Sequence, residues 1–326
     1  MAQLRAGVLG LGMMGRNHCR VLSGLAGVDF VGVYDPADGV APTVEGMPVT
    51  KDLDAFLAGV DYCVVATPTV YHLDMGRILA EKGVHALIEK PVAHTAEASR
   101  ELVELFTAAG LIGGVGHIER FNPALQSMRT RLADGALGEI FQIATRRQGP
   151  FPGRIADVGV IKDLATHDID LTAWVSQQDY VSVSARTTHR SGRPHEDMVI
   201  AVGTLTDGTI ASHTVNWLTP FKERTTIVTG EKGTLIADTL TADLTFFENG
   251  TNQASWPGIS TFRGVSEGDV TRYALDKKEP LLAEHEAFRD AVLSGDTSGI
   301  VTLEQGATVV DIAEKLVADG IAHRLN

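Results

Sequence analysis

Cysteine is scarce in this chain, with only Cys19 and Cys63 among 326 residues. One lies in a predicted helix and the other in a predicted strand, so they do not form the disulfide framework of a small secreted domain. We therefore predict a reducing, cytoplasmic environment. Basic residues are also few: 28 Lys and Arg stand against 41 Asp and Glu, a formal charge of −13. This balance argues against broad binding to nucleic acid or to an anionic membrane surface.

Long apolar runs are absent as well. No stretch of about 18 uninterrupted apolar residues occurs, so we predict no membrane span. The apolar opening AGVLGLGMMG has regularly spaced glycines and no small-residue cleavage site, which favours a strand and turn over a signal peptide. The length and the 44% hydrophobic content suit one large or two medium globular domains.

The first 120 residues alternate between strand and helix patterns. Predicted strands are RAGVLGLG, DFVGVYD, DYCVVATP, HALIEKP and IGGVGH, and the predicted helices between them are Met14–Leu25, Asp52–Ala58, Tyr71–Lys82 and Thr95–Ala109. Strands that alternate with helices of this size indicate parallel βαβ units. We therefore predict an α/β domain with a doubly wound parallel sheet over residues 1–120.

After about residue 120 the pattern changes to runs of strands. The predicted strands include EIFQIATRRQ, VSVSARTTH, DMVIAVGTLT, TIASHTVNW, RTTIVTG and GTLIADT, and helices are predicted at 163–175, 280–293 and 303–318. The Asp207-Gly208 pair indicates a tight hairpin between two of the strands. Residues 121–326 are thus predicted to form an α+β domain with a large, mostly antiparallel open sheet.

The segment GLGMMG has the GxGxxG spacing directly after an apolar strand and before a helix. Such glycines permit a tight turn, close approach of the backbone to a pyrophosphate and close helix–strand packing. Asp35 follows 20 residues beyond Gly15 and is placed to accept hydrogen bonds from an adenosine ribose, although it could also serve only as a turn residue before Pro36. No arginine follows to bind a 2′-phosphate, so NAD is favoured over NADP. The predicted cofactor-binding residues here are Gly10, Gly12, Met13, Met14, Gly15 and Asp35.

Two later strands end in polar residues at the carboxyl edge of the predicted sheet, where open α/β folds bind ligands. Thr67, Pro68 and His72 are candidates to line the nicotinamide half of the cofactor, but His72 is equally explained as a first-turn helix residue without a ligand. Lys90, in IEKP, lies one βα unit further on and would be close to the nicotinamide and to a bound alcohol. The alternative for Lys90 is a solvated lysine that ends a strand.

In the second half, KDLATHDID places Asp163 and His167 four residues apart on a predicted helix, hence on one face. A histidine that titrates near neutrality can accept a hydroxyl proton as a hydride leaves carbon, and Asp163 can hydrogen-bond a substrate hydroxyl. A carboxylate–imidazole pair on a helix surface is the alternative. A metal site with His189 or His195 as further ligands is disfavoured because no cysteine or tight histidine cluster supports it, so we predict no metal.

The motifs together resemble the glucose–fructose oxidoreductase, inositol dehydrogenase and rhizopine-catabolism (Gfo/Idh/MocA) family. The resemblance rests on EKP behind GxGxxG and ATP…H, and on the D-x-x-x-H spacing preceded by Gly159. It implies a Rossmann domain followed by an open antiparallel sheet, with Lys90, Asp163 and His167 as the catalytic group and Glu89 near the nicotinamide ribose. It also implies homodimers or homotetramers formed through the C-terminal sheet.

A narrower resemblance concerns the substrate. GVGHIERFNPAL, RRQGPFPGRIADVGVIKDLATHDID and TVNWLTPFKERTTIVTGEKGTL look like the family members that oxidise the C3 hydroxyl of UDP-N-acetylglucosamine. Guanidinium groups suit a diphosphate because they bind it in bidentate fashion. Adjacent Arg146 and Arg147 point to opposite faces of a strand, however, so at most one of them reaches a given ligand, and other arginines are also candidates for ion pairs. The predicted substrate-binding residues are Arg120, Asn122, Arg147, Arg154, Asp163 and His167.

The sequence and these resemblances therefore predict an NAD-dependent dehydrogenase of a secondary sugar hydroxyl, with C3 of a UDP-linked N-acetylhexosamine as the first candidate. A free polyol or aldose such as myo-inositol is the second candidate, because relatives that act on those substrates share the same catalytic core. A non-catalytic NAD-binding sensor is the third candidate. Such a sensor has no need for Lys90, Asp163 and His167 together.

Overall fold

The chain folds into two compact units, described here from a computed structural model over residues 3–153, 158–250 and 267–324. The first unit comprises Met1–Ile118 and Glu279–Glu314, and the second comprises Glu119–Lys278 and Lys315–Asn326. The sequence predicted domains of 1–120 and 121–326, so the observed units differ in the placement of residues 279–314. That segment joins the first unit because Phe288, Ala291 and Ile300 are buried in its core.

The secondary structure is numbered in chain order. The strands are β1 (Leu4–Leu9), β2 (Val28–Tyr34), β3 (Thr43–Val44), β4 (Met47–Thr50), β5 (Tyr62–Val65), β6 (His85–Glu89), β7 (Gly113–Gly116), β8 (Ile140–Pro150), β9 (Tyr180–Thr188), β10 (Met198–Leu205), β11 (Ile210–Asn216), β12 (Leu218–Gly230), β13 (Gly233–Asp238), β14 (Asp243–Asn249) and β15 (Glu267–Tyr273). The α-helices are α1 (Met13–Leu22), α2 (Leu53–Leu57), α3 (His72–Lys82), α4 (Ala96–Ala109), α5 (Pro123–Ala133), α6 (Thr166–Ser176), α7 (Pro280–Ser294) and α8 (Leu303–Ala322).

The sheet of the first unit has the strand order β3-β4-β2-β1-β5-β6-β7. Its pairings are parallel except for that of β3 with β4. All four residues of the central strand β5 are buried, as expected where helices cover both faces of a parallel sheet. The predicted doubly wound α/β sheet is confirmed, and the carboxyl ends of β1, β2, β5 and β6 form one edge.

Local sequence signals set the ends of the helices in this unit. Thr95 accepts a hydrogen bond from the Ala98 backbone N–H and so caps the start of α4, and Gly110 ends α4 in the left-handed conformation. Asp52 caps α2 in the same way through the Ala55 N–H. These caps lie where the sequence predicted helix boundaries, and they fix the helices that follow the strand ends at the carboxyl edge.

The sheet of the second unit has the order β15-β14-β13-β12-β8-β11-β10-β9. Every pairing is antiparallel except that of β8 with β11, so the predicted open sheet is confirmed. Residues of α5 and α6, including Leu125, Met128 and Leu171, pack on one face of the sheet. Gly208 has a φ of 91° between β10 and β11, as the predicted Asp-Gly hairpin requires.

No helix within the described ranges is long and apolar enough to cross a membrane. Cys19 and Cys63 are both buried free thiols. Burial raises the pKa of the Cys19 thiol to about 12, so it is protonated and chemically inert at neutral pH.

Candidate active site

The glycine-rich loop between β1 and α1 has the geometry of a phosphate cradle. Gly10 has a φ of 93°, and a Cβ there would lie 2.9 Å from the Ala66 carbonyl oxygen. A Cβ on Gly15 would lie 2.0 Å from the carbonyl oxygen of Gly10, so both glycines are required by the packing of the protein itself. Gly12 is exposed and has no atom within 4 Å of an added Cβ, so no internal packing explains a glycine at this position.

The start of α1 is open toward this loop. Gly12 occupies the N-cap position and has no side chain to cap the first turn. The free N–H groups and the positive end of the helix dipole suit a pyrophosphate, which approaches the backbone closely only where no Cβ intervenes. Met13 is exposed and Met14 is half-buried beside the loop. The residues present therefore fit the dinucleotide that the sequence predicted.

Asp35 lies against the same loop at the end of β2. Its two carboxylate oxygens accept hydrogen bonds from the backbone N–H groups of Leu11, at 2.7 Å, and Ala37, at 2.9 Å. The contact with Ala37 is the turn role that the sequence left open, and the contact with Leu11 fixes the carboxylate beside the glycine loop. Each oxygen retains a lone pair, so the half-buried side chain can still accept a ribose hydroxyl.

His72 connects two loops at the carboxyl edge of the sheet. It is buried, and its ring nitrogens lie 3.0 Å from the carbonyl oxygens of both Thr67 and Pro91. Burial lowers the pKa of His72 even though the carbonyl contacts favour protonation. We therefore infer a neutral ring in which one contact is a hydrogen bond and the other is a dipolar contact. The imidazole joins the loop after β5 to the loop after β6.

Two other candidates of this edge lie in the loop after β5. Pro68 is exposed and Thr67 is half-buried. The Thr67 hydroxyl oxygen is itself buried and has no hydrogen-bond partner among the described residues. A buried hydroxyl without a hydrogen-bond partner is unfavourable. A polar ligand group at this edge would supply that partner and so be stabilised there.

Glu89 ends β6 and Lys90 follows it at this edge of the sheet. The Lys90 backbone N–H donates to Glu89 Oε2 at 3.1 Å, and Glu89 Oε1 lies 2.8 Å from His18 Nε2. Burial alone would raise the pKa of Glu89, but the hydrogen bond from His18 and the positive charge of Lys90 lower it below its ordinary value. Glu89 is therefore an ionised carboxylate inside the unit. Lys90 is half-buried and is joined to Pro91 by a cis peptide bond.

In the second unit, Asp163 and His167 are only 7% and 9% exposed. The sequence predicted a regular helix over 163–175, but the segment Ile161–Ala165 forms a π-helical turn and α6 begins at Thr166. The pair thus spans the junction of the two helix types. Short π-helical turns occur frequently at functional sites, because the wider turn redirects side chains locally.

The arginines predicted to bind a diphosphate are paired with carboxylates in the second unit. Arg147 is 3% exposed and its guanidinium lies 2.9 Å from Asp168 and 2.8 Å from Glu119. Arg120 forms a two-pronged pair with Asp170, with N–O distances of 2.8 and 2.5 Å. A diphosphate would compete with these carboxylates for the two guanidinium groups. The two ion pairs instead hold the segment of α6 that directly follows His167.

The remaining substrate candidates are less informative. The Asn122 side chain accepts from the Ala124 N–H and donates to the Thr239 carbonyl, so it caps α5. Arg146 points to the opposite face of β8 from Arg147 and pairs with Glu223, which confirms that adjacent strand residues diverge. Arg154 lies outside the described residues. Among the residues the structure covers, no group of three or more His, Cys, Asp or Glu side chains could hold a metal ion.

Comparisons with known proteins match both parts of the chain. Residues 4–117 match the model described as an oxidoreductase family with an NAD-binding Rossmann fold, and residues 125–236 match the Gfo/Idh/MocA C-terminal domain. UDP-N-acetylglucosamine 3-dehydrogenase from Acidithiobacillus ferrooxidans is 30% identical over 295 residues, which cover 90% of each chain. Inositol 2-dehydrogenase 2 from Saccharopolyspora erythraea is 32% identical over 203 residues, 60% of each chain.

Similarity in structure extends over the whole chain. The solved structure of UDP-N-acetylglucosamine 3-dehydrogenase GnnA from Acidithiobacillus ferrooxidans superposes with a TM-score of 0.84 at 27% identity, and the match covers 99% of both chains. The glycine loop, the Asp35 carboxylate and the two matched domains agree with this similarity. The chain therefore belongs to the Gfo/Idh/MocA family of oxidoreductases, with an NAD-binding Rossmann domain and relatives that are dehydrogenases of sugars and inositols.

Proposed function

We propose that this chain is an NAD-dependent dehydrogenase that oxidises the C3 hydroxyl of a UDP-linked N-acetylhexosamine. The observation that carries the proposal is the extent of the similarity. The UDP-N-acetylglucosamine enzyme matches 90% of this chain, whereas the inositol enzyme of Saccharopolyspora erythraea matches 60%. A match over nine-tenths of the chain takes in most of the second unit, where the sequence predicted the substrate to bind.

The proposed chemistry follows from the residue types. A bound NAD would supply the hydride acceptor for the carbinol carbon. His167 accepts the hydroxyl proton as the hydride leaves, because an imidazole can act as a base near neutral pH. The Lys90 ammonium stabilises the developing alkoxide or passes the proton on, and Asp163 hydrogen-bonds a substrate hydroxyl. Of the diphosphate-binding candidates, Arg120 and Arg147 enter this scheme as supports of α6, given their carboxylate partners.

The test is a substrate panel. Thermal-shift measurements with NAD plus UDP, UDP-N-acetylglucosamine or myo-inositol should show stabilisation by the two nucleotides. NADH absorbance at 340 nm should then rise with UDP-N-acetylglucosamine. Stabilisation and turnover with myo-inositol, and with neither nucleotide, would replace the proposal by a polyol dehydrogenase. NAD binding without turnover of any sugar nucleotide, aldose or polyol would favour a sensor.

The choice of NAD over NADP is proposed to depend on Asp35. Replacing Asp35 with alanine should lower kcat/KM for NAD about 10- to 100-fold, the cost of losing a charge-assisted hydrogen bond to the ribose. It should also raise the ratio of NADP to NAD activity, because a carboxylate repels a 2′-phosphate. Steady-state kinetics with both cofactors would measure the two effects. Asp38→Ala, an exposed carboxylate paired with Lys51 in the same turn, is the matched control and should keep the NAD kinetics. An Asp35→Ala variant with unchanged NAD kinetics would leave only the turn role.

We also propose that the outer face of the second sheet is covered by another copy of the chain. One face packs on α5 and α6, while Ile200, Val202, Phe247 and Val270 on the other face are 42–62% exposed. The strand registers place these four side chains on the same side of the sheet. Exposed apolar side chains near both ends of one sheet face are compatible with an interface in which polar residues lie between them.

Light scattering after size exclusion should therefore give a dimer or tetramer for the parent chain. Ile200→Asp combined with Val202→Asp should yield a monomer that still binds NAD, since buried like charges oppose association. Leu293→Asp, at an apolar residue of α7 that is 57% exposed, is the control and should keep the parent mass. A monomeric parent at micromolar concentration would refute the interface.

A further inference from the structure

A chain of hydrogen bonds runs through the interior of the first unit to the backbone of Lys90. His285 Nε2 on α7 lies 2.8 Å from His18 Nδ1 on α1, and His18 Nε2 lies 2.8 Å from Glu89 Oε1. Glu89 Oε2 in turn accepts the Lys90 backbone N–H at 3.1 Å. Both imidazoles are fully buried and Glu89 is 9% exposed. A doubly wound sheet does not require these buried polar side chains, because apolar residues could fill the same space.

The hydrogens of this chain can be assigned starting from the ionised carboxylate of Glu89. Ionised Glu89 can only accept, so His18 Nε2 carries its hydrogen and donates to it. His18 Nδ1 can then accept from His285 Nε2–H, which leaves His285 Nδ1 as the acceptor atom. That atom is buried without a partner among the described residues. A buried nitrogen lone pair without a hydrogen bond costs less free energy than a buried N–H without one. The donors therefore all point from α7 toward Glu89.

The surrounding charges favour this state. Burial lowers the pKa of His285 well below its ordinary value, so its ring is neutral. Burial and the nearby charge of Glu89 raise the pKa of Glu284 well above its ordinary value, so that carboxyl group is neutral too. Glu284 is 1% exposed and precedes His285 on α7. Glu89 is thus the ionised carboxylate of this interior cluster, and the positive charge of Lys90 helps to lower its pKa.

The space around Glu89 leaves its carboxylate little freedom. A Cβ added at Gly116 would lie 3.2 Å from the Glu89 carboxyl carbon, so β7 contacts the side chain closely from one side. His18 fixes one oxygen and the Lys90 N–H fixes the other. Without the hydrogen bond from His18, the carboxylate would lose the contact that orients it in the interior.

We propose that His18 and His285 are positioning residues for Lys90, acting through the carboxylate of Glu89. The inference rests on the proposed function in taking Lys90 as a catalytic residue. The two histidines touch neither cofactor nor substrate in this scheme. They hold Glu89 so that its second oxygen fixes the backbone from which the Lys90 side chain extends.

The kinetic test uses the full-length chain and the substrate identified by the panel above. His18→Leu should lower kcat roughly 10- to 100-fold, the usual effect of displacing a catalytic group by about 1 Å, while NAD affinity by calorimetry stays near the parent value. His18→Gln, whose amide can donate where Nε2 did, should recover most of kcat. In a Glu89→Gln background, His18→Leu should lower kcat little further. Both substitutions interrupt the connection from His18 through the Glu89 carboxylate to the Lys90 backbone. Additive losses, or no rescue by glutamine, would overturn the proposal.

A buried histidine elsewhere controls for general destabilisation. His213 in the second sheet is fully buried and hydrogen-bonded to Thr145 and Tyr180 at 2.8 Å each. His213→Gln should lower the melting temperature yet leave kcat per folded molecule unchanged. An equal kcat loss in this control would mean that His18 acts only through stability.

A second measurement does not depend on activity. Hydrogen exchange of the Lys90 amide, followed by NMR on ¹⁵N-lysine-labelled protein, should accelerate in His18→Leu and return toward the parent rate in His18→Gln. Unchanged exchange would overturn the positioning role even if a substrate is turned over. If no substrate is found, the proposed function fails, but this measurement still decides whether His18 controls the Lys90 backbone.

Discussion

Replacing His167 with alanine should lower kcat roughly 10²- to 10⁴-fold on a true substrate, and Lys90→Met should give a loss of similar size. Each factor of ten corresponds to about 1.4 kcal/mol of transition-state stabilisation, so the expected cost is about 3–5 kcal/mol per residue. His167 is only 9% exposed, which restricts its access to water and strengthens its interaction with a bound hydroxyl. NADH absorbance kinetics would measure both variants.

The separate changes in kcat, KM and the pH–rate profile distinguish a catalytic base from a residue that only binds the substrate. If His167 accepts the proton, kcat should fall more than KM changes, and the acidic limb of the pH–rate profile should flatten in the alanine variant. Lys82→Ala and His323→Ala remove an exposed lysine and a half-exposed histidine and should retain parental kinetics. A His167→Ala variant with parental kcat and pH profile would show that another group takes the proton.

Much of the first unit could be predicted from the sequence, because its information is local. The alternation of apolar strands and helices, the caps at Thr95 and Asp52, and the spacing of the glycines each depend on a few neighbouring residues. These signals agree with the observed elements and with the glycine loop. The fold class followed for the same reason.

The return of residues 279–314 to the first unit could not be predicted in this way. An amphipathic helix shows which of its faces is apolar but not which sheet it will cover, since apolar surfaces carry little specificity. Phe288 packs beside Gly114, a contact between residues 174 positions apart that no local pattern indicates. The histidine chain is hidden for the same reason, because His18 and His285 are 267 positions apart. A polar residue three positions after Gly15, on the buried face of α1, was the one local sign.

The arginine ion pairs show a different limit of prediction from sequence. Sequence gives the number and sign of charges, but the partner of each charge is decided by the fold. Arg147 and Asp168 are separated by 21 residues and belong to a strand and a helix. Their pairing depends on how α6 lies on β8. The sequence could predict that Arg146 and Arg147 point to opposite faces of the strand. It could not predict which carboxylates would form ion pairs with buried Arg147.

Arg147→Met should therefore destabilise the protein by about 3–5 kcal/mol, the usual cost of removing one member of a buried ion pair. Half-buried Glu119 and fully buried Asp168 would lose the arginine with which they form ion pairs. Burial already raises the pKa of Asp168 despite the attraction of Arg147, so the loss of the arginine would force protonation or local unfolding. Urea or thermal unfolding would measure the change, and the midpoint should fall by roughly 6–20 °C for a unit of this size.

The same variant separates support from substrate binding. Arg146→Met, on the outer face of β8 with its side chain 57% exposed, should change stability by less than about 1 kcal/mol. Adding Asp168→Leu to Arg147→Met should recover part of the lost stability, because an apolar pair tolerates burial that a lone carboxylate does not. If Arg147→Met instead kept parental stability and lost affinity for UDP-N-acetylglucosamine, Arg147 would be a diphosphate ligand as the sequence first predicted. The carboxylate partners of Arg147 favour the supporting role, in which its charge fixes the helix that carries His167.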